Sequence, residues 1–259
     1  MNYAQYEKYV WLLIVAISVV LLYWLIRRML SINDTKTKET VSLWEYPFKA
    51  GDLILVSSGN IMRFFGGSHW THTAIVFKDP RSKILYVWEV RMPRNDNFLN
   101  FIGNSRNRVG IRLSPLYKYF ERYKDAKFAV RSLNKKVDSN QFMDFIFRNN
   151  KRRFSTQFAL RGLTRFFGSL AADVLEPQQV ETANEQRYCA ELTAETYYHL
   201  GVLMPQSTLH NYIPRDFAEG TESLALAPGY HFGPETGIVF KKRGKRKLLD
   251  EHSPQKETQ

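Results

Sequence analysis

Cysteine is almost missing from this chain: Cys189 is the only one in 259 residues. An intramolecular disulfide is therefore excluded, and nothing demands an oxidising compartment. A Cys-rich structural zinc site is excluded as well, since it needs several cysteines. His69 and His72 would face opposite sides of a strand and have no clustered carboxylates, so no metal is expected. There is no glycine-rich phosphate loop of the P-loop or dinucleotide type, so no nucleotide cofactor is expected. Internal repeats are lacking too. Acidic residues are outnumbered, 25 against 37 Lys and Arg, giving a formal net charge of +12. Six of the positive charges sit together in Lys241, Lys242, Arg243, Lys245, Arg246 and Lys247. The excess is thus partly a local tail, and no recognition fold supports nucleic-acid binding.

What is present is an ordinary globular composition, 44% hydrophobic and 24% charged. That suffices for one sizeable core or at most two small ones. The long apolar run is Tyr9 to Ile26, YVWLLIVAISVVLLYWLI, eighteen residues without a charge. At about 1.5 Å per residue it matches most of a ~30 Å hydrocarbon layer, with Trp11, Tyr23 and Trp24 near its ends. The run predicts a single transmembrane helix. A cleaved signal peptide fits less well, because a basic start and a small-residue cleavage site are absent. Arg27, Arg28, Lys36 and Lys38 follow the run and only Lys8 precedes it, which predicts a cytoplasmic C-terminal domain. The basic run Lys241–Lys247 is either a solvated tail or a contact for an anionic leaflet.

Residues 31–45 are polar and predict a linker. A strand is expected over Leu53–Ser57 after the Gly51-Asp52 turn, then strands over Thr71–Phe77 and Ile84–Val90 joined as a hairpin. Val109–Leu113 and Lys127–Leu133 predict two more, with a helix from Ser114-Pro115 to Tyr123 between them. Gln141–Asn149 has helical period, with Phe142, Phe145 and Ile146 on one side. Phe158 to Val174 repeats that period, either as a core-facing helix or as a basic, aromatic one lying on a membrane surface. Ala190–Leu200 predicts a helix ended by Gly201, Pro214–Phe217 a turn or helix start, and Gly237–Phe240 a last strand. The order predicts an α+β domain over 46–240, with a disordered tail at 241–259.

Three residues carry possible chemistry. Cys189 heads a predicted helix, where backbone N–H groups and the dipole favour a thiolate and can bind an oxyanion. His72 opens a strand whose apolar residues would pin it, as a general base must be pinned. Glu89 lies on the neighbouring hairpin strand and could hold the imidazole's other nitrogen. Periodicity alone does not bring the three together. A strand Glu between Trp88 and Val90 is ordinarily solvent-facing, and His199 and His210 read as structural.

The segments GDLILVSS at Gly51, HTAIVF at His72, WEV at Trp88 and CAELTAETYYHLGV at Cys189 resemble the permuted papain-like, NlpC-type (YiiX-like) hydrolases. VGIRLSPLYKYF and FAVRSL resemble the middle of that family, so the likeness runs from Gly51 to Phe217. It implies a permuted papain-like fold, an antiparallel sheet packed on helices, with His preceding Cys in the chain. It implies Cys189 as nucleophile, His72 as base and Glu89 as orienting group, with His69 the rival base. His72 is preferred because it directly precedes the apolar strand. Glu191, third in the Cys triplet, reads as structural, and Asp52 as a turn or capping residue. The implied reaction is hydrolysis of an amide or ester through a Cys189 thioester, on a peptide or an acyl lipid. The alternative is an inactive interaction protein on the same fold, anchored at a membrane.

Overall fold

The computed structural model describes residues 9–11, 13–20, 23, 39–58, 69–91, 110–149, 153–154, 186–204, 208–221 and 224–241. Its framework is a seven-stranded sheet in the order β1-β9-β6-β2-β3-β4-β5. The strands are β1 (Glu39–Ser42), β2 (Leu53–Ser57), β3 (His72–Lys78), β4 (Leu85–Arg91), β5 (Gly110–Pro115), β6 (Lys127–Leu133) and β9 (Phe232–Val239). Two-residue strands β7 (Arg153–Phe154) and β8 (Gln186–Arg187) pair separately. Helices are α1 (Leu116–Arg122), α2 (Ser139–Asn149) and α3 (Cys189–His199).

The central strands are covered on both faces, so β2 is buried at all five positions and reads as the unbroken run LILVS. Leu53, Leu55, Ile75, Phe77 and Trp88 share a core with Phe142 of α2 and Leu192 and Tyr197 of α3. Ile54, Val56, Val76, Val87 and Val130 pack with Tyr119 and Phe120 of α1 on the opposite side. Fully burying one such side chain stabilises by roughly 1.5–3 kcal/mol.

Local chemistry sets where these elements begin and end. Gly51 has φ +92°, and a Cβ there would lie 3.0 Å from Val137 Cγ1, so the turn into β2 requires glycine. Asp52 has the turn role expected of it. Its buried carboxylate accepts the Lys49 N–H at 2.9 Å, and it also accepts the Leu133 N–H and the Ser132 hydroxyl of β6. Asp138 caps α2 by accepting the N–H groups of Asn140 and Gln141. Gly201, at φ +66°, ends α3.

Three expectations are corrected. Among the described residues no helix is long and apolar enough to cross a membrane. A span needs about 20 residues of unbroken apolar helix. The predicted N-terminal transmembrane helix is therefore not supported. Nor is the sheet purely antiparallel. β1 runs parallel to β9, with Glu39 opposite Thr236 and Ser42 opposite Val239, so the sheet is mixed. The ETVS segment of β1 falls where polar composition suggests a linker. It holds by backbone pairing and by burying Leu43 just beyond it. The predicted helix over Phe158–Val174 and the basic residues after Lys241 lie outside the described residues.

Candidate active site

The sheet forks beside α3. β2 and β3 stay paired as far as Val56 and His72, whereas β3 and β4 pair only from Lys78 and Leu85 to Ile75 and Trp88. β4 continues past that point along β5, with Glu89 opposite Arg112. His72, Thr73 and Ala74 thus belong to a stretch of β3 without a β4 partner. The first residue of α3 meets β3 here. The backbone N–H groups of Thr73 and Ala190 lie close enough to the Cys189 sulfur to favour its thiolate. One turn later the Thr193 hydroxyl lies 2.9 Å from that of Thr73 and also donates to the Cys189 carbonyl. This buried hydroxyl pair fixes α3 on β3, and with it the height of the sulfur above His72.

The structure brings Cys189, His72 and Glu89 together. His72 is 2% exposed and Cys189 7%. The His72 Nε2 lies 3.4 Å from Glu89 Oε2, and the Glu89 side chain has no exposed surface. Burial alone would push the His72 imidazole down. The charge of Cys189 and then the carboxylate of Glu89 outweigh it and raise the imidazole to about 10. Burial likewise opposes the Cys189 thiolate, but the His72 imidazolium and the two N–H groups prevail and hold the thiol below its ordinary value. Both shifts favour a thiolate–imidazolium pair. Neither imidazole nitrogen makes a well-aligned hydrogen bond, a looseness common in unliganded sites that tighten around substrate.

The other singled-out residues lie elsewhere or act otherwise. His69 is buried with its ring edge-on to Trp70, at 5.0 Å between centroids. Glu191 does carry structure. Its carboxylate faces the Tyr188 N–H at 3.5 Å and contacts the His210 ring. The Tyr188 hydroxyl in turn donates to the carbonyls of His210 and Tyr212, tying that segment to the start of α3. The His199 ring packs tilted against Phe145. Among the described residues no group of three or more His, Cys, Asp or Glu could hold a metal ion.

Comparison with known proteins adds little to this geometry. No protein-family model matches the chain, and no curated protein matches it. Among solved structures, the metalloprotein YiiX from Escherichia coli O157:H7 is similar at 12% identity and a TM-score of 0.40. That match covers 73% of this chain and 98% of the other.

Sequence reasoning missed the surroundings of Glu89. The Tyr123 hydroxyl donates to Glu89 Oε2 at 3.2 Å, and Arg122 Nη1 of α1 approaches Oε1 at 3.7 Å. Tyr119, wholly buried, lies near the same carboxylate. A signal was available, because Tyr119, Arg122 and Tyr123 fall at i, i+3 and i+4 and so share one face of the predicted helix.

Proposed function

We propose that the chain is a thiol hydrolase cleaving an amide or ester bond, with Cys189 as nucleophile, His72 as acid and base, and Glu89 as orienting group. The observation carrying this reading is one buried imidazole held between the only thiol of the chain and a buried carboxylate. The motif resemblance to permuted NlpC-type hydrolases, with His before Cys, supports it.

In the first half-reaction the Cys189 thiolate attacks the carbonyl carbon and a C–S bond forms. The carbonyl electrons move onto oxygen, where the Cys189 N–H at the start of α3 faces the oxyanion. As that oxyanion collapses, the C–N or C–O bond breaks and the His72 imidazolium gives its proton to the leaving amine or alkoxide. In the second half-reaction neutral His72 takes a proton from water as the water attacks the thioester. The acid product leaves, and thiolate and imidazolium are restored. Glu89, beside Nε2, keeps the ring turned toward the sulfur and stabilises its charge.

The test is the pH dependence of Cys189 alkylation by iodoacetamide, read in the full chain and in His72→Ala. A single cysteine makes the readout unambiguous. Fast labelling well below the free-thiol value of about 8.5, lost in His72→Ala, is the expected result. It would license hydrolysis assays with peptide and acyl-lipid esters. Labelling indifferent to His72 would leave a non-catalytic interaction protein on this fold.

A further inference from the structure

Three buried polar atoms around Glu89 lack hydrogen-bond partners among the described residues: Glu89 Oε1, Tyr119 Oη and Arg122 Nη1. They belong to one neighbourhood. Arg122 Nη1 is 3.7 Å from Glu89 Oε1. Tyr119 senses the charges of Glu89, Tyr123, Cys189 and Arg122, Glu89 most strongly, and burial pushes its phenol well above its ordinary range. The opposite oxygen of the carboxylate is differently served, with Tyr123 donating to Oε2 on the side that faces His72.

A carboxylate without exposed surface needs compensating donors, or its burial is strongly unfavourable. Here one oxygen has a donor, and the other has the Arg122 guanidinium near it but out of bonding range. A separation of 3.7 Å between a guanidinium nitrogen and a carboxylate oxygen is too long for a direct hydrogen bond and suits a bridging water. Such a water needs two to four polar partners in a buried site; Glu89 Oε1 and Arg122 Nη1 supply two, and the buried Tyr119 hydroxyl, without a partner of its own, is the candidate third.

We infer that Arg122 and Tyr119 of α1 are positioning residues for the proposed active site, joined to Glu89 Oε1 through one buried water. Anchored at Oε1 through that water and at Oε2 by Tyr123, the carboxylate cannot swing away from His72 Nε2. The imidazolium, and through it the Cys189 thiolate, depends on this fixed orientation. The groups around Glu89 are His72 from β3, Tyr119 and Arg122 from α1, Tyr123 just after α1 and Cys189 from α3, with Arg112 of β5 opposite it in the sheet register. Of the uncharged donors only Tyr119 lacks a direct bond to the carboxylate, so it and Arg122 are the informative sites.

The inference rests on the thiol-hydrolase reading, and the experiment separates the two. The pH midpoint of Cys189 alkylation is measured in the full chain, in Arg122→Gln, Arg122→Lys, Tyr119→Phe and His72→Ala, beside a thermal unfolding curve for each. Arg122→Gln is expected to move the midpoint up by about one unit, a roughly tenfold slower labelling on the acid side. Tyr119→Phe should move it the same way by less, and Arg122→Lys should recover part of the shift. In a Glu89→Gln background, Arg122→Gln should add nothing, since its effect passes through that carboxylate. Lowered melting temperatures with an unmoved midpoint would overturn the inference and make α1 a packing element only. A His72→Ala chain that labels like the parent would sink the hydrolase reading itself. A crystal structure with a water between the three atoms supports the bridge, and a direct Arg122–Glu89 contact there overturns it.

Discussion

Two imidazole–carboxylate pairs flank the same cysteine. His72 and Glu89 lie in the sheet fork, both buried, with the sulfur on the other side of the ring. His210 and Glu191 lie over the first turn of α3. There the carboxylate is equally buried, but the His210 side chain is 48% exposed and its partners are backbone and carboxylate. The residue types are the same and the environments differ. In the fork, removal from water strengthens each charge's hold on the next, so His72 and Cys189 shift in opposite directions. At the helix start, the pair braces a backbone segment in contact with solvent. An imidazole beside a carboxylate becomes chemistry only where a third reactive group shares its burial.

The largest effect that would break this contrast lies in paired substitutions. His72→Ala should lower hydrolysis of an activated ester by about 10²–10⁴-fold, the usual contribution of a positioned acid–base group. His210→Ala should leave kcat within a few-fold. Equal losses, read from steady-state rates of the two variants, would dissolve the distinction between the pairs.

The pH profile sharpens it next. Cys189 is held below and His72 above its ordinary value. The productive pair therefore forms as pH rises through the lowered thiol value and is lost near 10, as the imidazolium gives up its proton. Hydrolysis should trace a broad bell spanning neutral pH, with both limbs belonging to the coupled pair. Alkylation should rise along the same acid limb and show no fall near 10, because the thiolate survives there. A hydrolysis profile still climbing above pH 8.5 would show an unactivated thiol.

The smallest effect falls on stability. Glu191→Gln removes a buried charge that faces Tyr188 N–H and His210, and should cost about 1–3 kcal/mol. Denaturant unfolding measures this, and the alkylation midpoint should stay in place. A moved midpoint with unchanged stability would reverse the roles assigned to the two pairs.

Much of this arrangement is legible in the sequence. The strands Leu53–Ser57 and Lys127–Leu133 stand at their expected bounds, since apolar runs there end at strong turn residues. The helix of Cys189 begins one residue earlier than expected, and Phe142, Phe145 and Ile146 are buried together. Glu89 was a candidate partner for His72, but its burial was not legible. Polar-apolar alternation suggests a wet face only when one side of a sheet is open, and here α1 covers that side. β1 escaped notice because ETVS has little apolar content and its partner lies at the far end of the chain.

The edge formed by β1 and β9 also governs how the molecule comes into being. The Trp44 indole N–H donates to the carbonyl of Lys241, 197 residues away, and the Thr73–Thr193 bond that seats the cysteine helix spans 120. Contacts of such sequence separation close slowly, because chain entropy is spent before pairing rewards it. During synthesis β3 is complete long before its sulfur partner leaves the ribosome. Until helix and fork have docked, the thiol has only the ordinary reactivity of a free cysteine. Labelling by iodoacetamide well below that ordinary pKa is thus a clock for refolding, started by dilution from denaturant and read at a single atom.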